Sequence, residues 1–186
     1  MPPRNQHHPA ALLPAFDPES GDLNAVVETV KGSRNKFAYD EKLALFRLNG
    51  VLPAGASFPY DFGFVPSTIG DDGDPLDVLV LMDEPAFAGC LVSARLVGVI
   101  TAEQQEKGGK VEQNDRLIAV ATKSHTHEGV RTLRDLSQNL IGEIEHFFVS
   151  YNQARGRVFT PTDRKGPRAA HAIVDAGVAR RSRKKR

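Results

Sequence analysis

Short apolar runs, each closed by turn residues, constrain this chain most. Leu23 to Val30, Phe37 to Leu48, Asp77 to Met82, Leu91 to Ile100 and Leu117 to Ala121 are rich in Val, Leu, Ile and Phe, as short strands are. Turn sequences separate them: Lys31-Gly32-Ser33-Arg34-Asn35, Asn49-Gly50, Pro53-Ala54-Gly55, Gly70-Asp71-Asp72-Gly73 and a hairpin tip at Lys107-Gly108-Gly109-Lys110. This spacing predicts a small barrel. A helical period enters late, where Leu133, Leu136, Leu140, Ile144, Phe147, Phe148 and Tyr151 recur at three- and four-residue steps. Thr132 and Asp135 are spaced as a capping-box variant at its start. Arg168 to Ala179 has Ala169, Ala172, Ile173 and Ala176 at helical spacing and predicts a second, shorter helix. The expected class is mainly β with flanking helices.

A chain of 186 residues, 40% apolar and 25% charged, has the interior for one domain and neither a disordered nor a membrane composition. No apolar stretch approaches the ~18 residues that cross a bilayer. Residues 1–22, rich in Pro, His and polar groups, read as a mobile arm or surface strap, residues 23–179 as the folded domain and residues 180–186 as a basic tail. Six of the last seven residues are Lys or Arg; taking those six charges from the net +1 leaves −5, so the body is acidic. The single Cys90 excludes an internal disulfide and suits a reducing compartment, so a cytoplasmic location is expected.

The chemistry is concentrated in Asp71-Asp72-Gly73-Asp74-Pro75-Leu76-Asp77, which runs straight into Val78-Leu79-Val80-Leu81. Four carboxylates in one turn repel one another unless cations compensate. Gly73 and Pro75 let the turn gather Asp72, Asp74 and Asp77, and hard oxygen ligands of this kind suit magnesium, with manganese as the alternative. A calcium loop begun at Asp72 fails, because Leu76 takes its fifth place and Asp77 its sixth, where Gly is needed. Lys31, Arg34 and Lys36 form a basic group, with Arg116 at the start of a later strand. An acidic metal cluster facing cations fits phosphoryl chemistry, which rests on positioning and charge neutralisation. The bland reading of each feature is a solvated acidic turn and lysines carried for solubility.

Other residues carry weaker signals. His125 and His127 would share one side of a strand but have no third ligand at a recognisable spacing. His146 reads as a partly buried helix residue and Cys90 as a core thiol. The Arg180 to Arg186 run reads as a solvated tail. Its alternative is nucleic-acid contact, although it has no interleaved aromatics for base stacking.

Phe58-Pro-Tyr-Asp-Phe-Gly-Phe64, followed by Asp72-Gly-Asp-Pro-Leu-Asp77-Val-Leu-Val, resembles the signature of the soluble family I inorganic pyrophosphatases. The likeness extends at lower similarity from about Val26 through Tyr151. It takes in Lys36-Phe37, Val97-Gly98-Val99, Asp115-Arg116-Leu-Ile-Ala-Val120 and His146-Phe-Phe148. The resemblance implies an OB-like five-stranded barrel with two helices, a homo-oligomer, and magnesium-dependent hydrolysis of pyrophosphate to two orthophosphates. By position it implies Asp72 and Asp77 as metal ligands and Asp74 as the group that orients or deprotonates the attacking water. It likewise implies Glu28, Lys36, Arg116 and Tyr151 as substrate-binding residues.

The chain also departs from the family pattern. Ala38 stands where a glutamate is usual, Gly50 where a phosphate-binding arginine is usual, Phe62 where a tyrosine is usual and Asn152 where a lysine is usual. Two metal-ligand aspartates of the family fall near Gln104 and Asn114, leaving Asp115, Glu103 or Glu106 as nearby carboxylates; Asp115 is the expected substitute ligand. The resemblance with these losses implies either a hydrolase with a thinned substrate clamp or a weak or inactive relative that binds phosphate compounds or nucleic acid.

Overall fold

The computed structural model describes residue 10 and residues 13–184. In chain order the elements are β1 (Leu23–Thr29), β2 (Asn35–Asp40), β3 (Leu45–Val51), β4 (Asp61–Phe64), β5 (Asp77–Leu81), β6 (Leu91–Glu106), β7 (Val111–Gln113), β8 (Arg116–Ala121), α1 (Gln138–Gln153), β9 (Arg157–Lys165) and α2 (Pro167–Lys184). β1 pairs with β4, β4 with β5, β5 with β8, β8 with β6, and β6 returns to β1, which closes a ring of five strands. All of these pairings are antiparallel except β5 with β8. The expected five-strand closure and two helices are therefore present.

The central strands are continuous apolar runs because both of their faces are covered. In β5, Leu79 and Leu81 join one core cluster with Ile141, Ile144 and Phe148 of α1. Val78 and Val80 point the other way and join Ala170 and Val174 of α2. β8 alternates likewise, Ile118 and Val120 against Leu117 and Ala119. The two clusters fix where α1 and α2 sit, and so fix both walls of the cleft described below.

Several elements differ from the sequence reading. Phe37 to Leu48 is a hairpin, β2 and β3, rather than one strand: Asp40 Oδ1 accepts from the N–H groups of Lys42 and Leu43, and Ala44 takes φ 52°. That turn is built on an aspartate and holds neither Gly nor Pro, so it left no punctuation in the sequence. Asn49-Gly50 is no turn. It lies in β3, where the register slips so that Lys36 faces Gly50 while Phe37 faces Leu48, a β-bulge. β9 was unforeseen because among its residues only Phe159 is buried and Pro161 interrupts it; a polar strand with proline is an edge strand.

Thr132 and Asp135 do form the capping box, but on a single 3-10 turn, Leu133–Asp135, and α1 begins after it. α2 continues beyond Ala179 through Lys184, so residues 180–184 are helical. The expected mobile arm is, from residue 13 to 22, a strap: Ala15 is buried, its carbonyl accepts from Asn24 N–H, and Asn24 Nδ2 donates to the Pro14 carbonyl. The rest of that arm, residue 10 apart, lies outside the described residues. His125 and His127 stand in a turn rather than a strand, with His127 Nδ1 3.3 Å from Ser124 Oγ.

Candidate active site

The acidic turn links β4 to β5 and is tied at its base. Val65 N–H donates to the Leu76 carbonyl and Thr68 Oγ1 accepts from Leu76 N–H while donating to the Val65 carbonyl. Gly73 takes φ 88°, a left-handed conformation that L side chains resist, and Asp72 Oδ1 accepts from Asp74 N–H at 3.1 Å. The result is an exposed loop that presents Asp72 and Asp74, followed by Asp77 as the first residue of β5. All three line one cleft of about 750 Å³, together with Glu28, Lys36, Arg116 and Tyr151.

Strand geometry places the cations. Arg116 opens β8 beside Asp77, and its Nη1 lies 2.6 Å from Asp77 Oδ2. The guanidinium also donates to Asn114 Oδ1 and stands 5.1 Å from the ring centroids of both Phe148 and Phe159. Its buried Nε has no hydrogen-bond partner among the described residues. Lys36 reaches the cleft from β2, where the bulge opposite Gly50 sets its direction; its Nζ is 4.3 Å above the Phe62 ring and 3.9 Å from Glu28 Oε2. Glu28 Oε1 accepts from Tyr39 N–H at 2.7 Å.

Burial governs the electrostatics. It pushes Glu28 up to about 7 against the opposing pull of Lys36 and of the Tyr39 N–H bond, and it pushes the Lys36 ammonium down. Enclosure in the cleft pushes Asp72 up to about 6, with Asp77 and Asp74 adding repulsion and the Asp74 N–H bond opposing it. Burial also raises Tyr151. A carboxylate held high by enclosure and like charge is one that a divalent cation relieves. The oxygen donors of Asp72, Asp74 and Asp77 in one cleft thus suit a hard cation, although among the described residues no three His, Cys, Asp or Glu side chains already converge as a ligand cage.

A family model described as inorganic pyrophosphatase matches residues 25–182, which takes in every element from β1 into α2. This chain belongs to the inorganic pyrophosphatase family. The inorganic pyrophosphatase of a Nostoc species is 36% identical over 166 residues, 89% of this chain and 95% of that protein. That of Geobacillus stearothermophilus is 32% identical over 90% of this chain and 98% of its own. The crystal structure of the inorganic pyrophosphatase from Thermus thermophilus matches with a TM-score of 0.84 at 32% identity, covering 94% of this chain and 99% of that one.

In this pyrophosphatase-family chain, seven of the eight residues singled out from sequence share the large cleft: Glu28, Lys36, Asp72, Asp74, Asp77, Arg116 and Tyr151. Asp115 does not. Its Oδ1 accepts from Ala102 N–H at 3.1 Å and from Gln113 Nε2, and it lines a smaller neighbouring cavity of about 280 Å³ that also touches Asp72 and Asp77. Asp115 precedes β8, and these two bonds hold its carboxylate toward Ala102 and Gln113. The amides of Gln104 and Asn114 do line the cleft and bond each other, Asn114 Nδ2 to Gln104 Oε1 at 3.1 Å.

Among the cleft residues that escaped the sequence reading are four cations, Arg155, Arg157, Arg181 and Lys184. The first two belong to no motif. The last two stood in the run read as a solvated tail, yet Arg181 pairs with Glu41 at 3.0 Å and Arg180 with Asp71 at 2.9 Å. Lys31, by contrast, lies 5.4 Å from the Tyr60 ring and Arg34 donates to the Leu52 carbonyl. Among the described residues no helix is long and apolar enough to cross a membrane.

Proposed function

We propose that this chain is a metal-dependent inorganic diphosphatase that hydrolyses pyrophosphate to two orthophosphates. The observation that carries the reading is the shared cleft, in which Asp72, Asp74 and Asp77 face Lys36, Arg116 and Tyr151; membership of the inorganic pyrophosphatase family supports it. Lys36, the Arg116 guanidinium and the Tyr151 hydroxyl bind the phosphate oxygens. Asp74, exposed at the cleft, orients the attacking water and accepts its proton on a carboxylate oxygen. A phosphorus–oxygen bond forms to that water and the bridging bond breaks, giving two phosphates. Phe62, Phe148 and the ring of Tyr151 keep bulk water from the cationic wall.

Asp72 and Asp77 would hold the divalent cation, magnesium foremost and manganese as its substitute. When bound, such an ion supplies Lewis-acid activation of water and neutralises phosphate charge. Glu28, buried beside Lys36, sets the charge that the lysine presents to substrate. The same reading includes a cytoplasmic location, which the free Cys90 thiol suits. It also includes a homo-oligomer, supported by Leu45, Leu48 and Val51 on β3, each near 60% exposed. The test is orthophosphate release from pyrophosphate by the purified chain with magnesium and with a chelator. Release that requires the cation is expected; no release in either condition overturns the proposal.

A further inference from the structure

Another cavity, of about 460 Å³ and distinct from the one beside Asp115, adjoins the main cleft and shares Lys36, Asn49, Tyr151 and Arg155 with it. Its electrostatics are unlike those of its neighbour. The main cleft mixes cations with carboxylates, whereas the charged residues of this cavity are Arg34, Lys36 and Arg155, with no acid. Gly50 forms part of its wall, and a Cβ built there would meet only Arg155 Nη1, at 3.5 Å. The missing side chain therefore leaves room that the Arg155 guanidinium borders without filling.

Arg155 is available for an anion. It makes no ion pair among the described residues, and its Nη1 donates to the Tyr151 hydroxyl at 2.9 Å, with the guanidinium 5.4 Å from the Tyr151 ring. That contact aims it at the residue that the proposed mechanism places on phosphate. Arg34 is fixed through Nε and Nη2 to the Leu52 carbonyl. A planar guanidinium matches the oxygens of a phosphate group in two-point fashion; Lys36 already faces Glu28 at 3.9 Å, and the two guanidinium groups of Arg34 and Arg155, which have no acidic partner among the described residues, favour an anion. We propose that this cavity is a subsite for the terminal phosphoryl group of a linear phosphoanhydride longer than pyrophosphate, with Arg155 as its principal donor. The proposal rests on the hydrolase reading, which supplies the position of the reacting pair at Asp74.

Calorimetric titration with two hydrolysis-resistant probes tests it: methylenediphosphonate and its three-phosphorus homologue, bis-methylene triphosphonate. The full chain should bind the triphosphonate more tightly. Arg155→Ala should weaken the triphosphonate about tenfold or more and the diphosphonate far less. Arg155→Lys should recover part of the loss, and Gly50→Leu, which fills the cavity beside Arg155, should remove the preference for the longer probe. Equal loss for both probes would assign Arg155 to the pyrophosphate pair and overturn the subsite, as would no loss for either. Wild-type chain that binds the diphosphonate without preferring the longer probe overturns the subsite alone. Wild-type chain that binds neither overturns the hydrolase reading and the subsite with it.

Discussion

Arg116 Nη1 stands 2.6 Å from Asp77 Oδ2, so the first residues of the parallel strands β8 and β5 are joined across the mouth of the cleft. The arginine side chain is 5% exposed and the aspartate 27%. Removing the buried partner leaves a half-sheltered carboxylate, which costs less than orphaning a fully buried one. Arg116→Met should lower stability by about 1 to 3 kcal/mol, measured by urea unfolding, and should also raise KM for pyrophosphate. Arg116→Lys keeps the charge but loses the planar guanidinium, whose Nη1 reaches both Asp77 and Asn114, so it should recover only part of either effect. Wild-type stability in Arg116→Met would show that the pair contributes nothing net.

Asp74 is exposed, and among the described residues the hydrogen bonds that hold it are made by its backbone, with Asp72 Oδ1 and Gly70 N–H. Asp74→Asn should therefore leave the melting temperature unchanged while lowering kcat about 10²- to 10⁴-fold, the range that a general base contributes. Thermal melts and phosphate release on the same preparation separate the two. Unchanged turnover would remove Asp74 from the mechanism.

Glu28 binds its proton more tightly in the folded protein than in the unfolded chain, because burial holds it at about 7 rather than 4.5. A raised carboxyl pKa contributes stability that is full below about 4.5 and is lost as pH rises through about 7. Glu28→Gln mimics the protonated form at every pH. Its melting temperature relative to wild type should therefore climb between pH 5 and pH 8, as read by calorimetric scans. A difference that stays flat over that interval would contradict the burial argument.

Gly98 is packed against two neighbours. A Cβ there would lie 2.5 Å from both Leu133 Cγ and the Lys165 carbonyl oxygen of β9. A backbone oxygen in a paired strand cannot step aside, so Gly98→Ala should cost about 2 to 3 kcal/mol in chemical denaturation. A cost below half a kilocalorie per mole would mean that β9 yields easily.

Legibility in the sequence followed burial. Strands β5 and β8 were plain because both faces are covered and nearly every residue is apolar. β9 was invisible because its solvent side is polar, and the β2–β3 hairpin because Asp40, rather than glycine, makes its turn. In the cleft, Asp72, Asp74 and Asp77 announced themselves as one acidic bend, whereas Arg155 arrives from the turn after α1 and Arg181 from the end of α2, and they gain meaning only where those elements meet the cleft. Asp115 shows the converse. It was adjacent in sequence to a cleft residue, and its bonds to Ala102 N–H and Gln113 Nε2 hold its side chain elsewhere.

The most direct test of the account is phosphate release from pyrophosphate by wild type and by Asp72→Asn across a magnesium titration. The expected result is cation-dependent turnover in wild type, with Asp72→Asn needing at least about tenfold more magnesium to reach half its own maximum. Superimposable magnesium curves for the two proteins, or no phosphate from wild type at any concentration of magnesium or manganese, would contradict it.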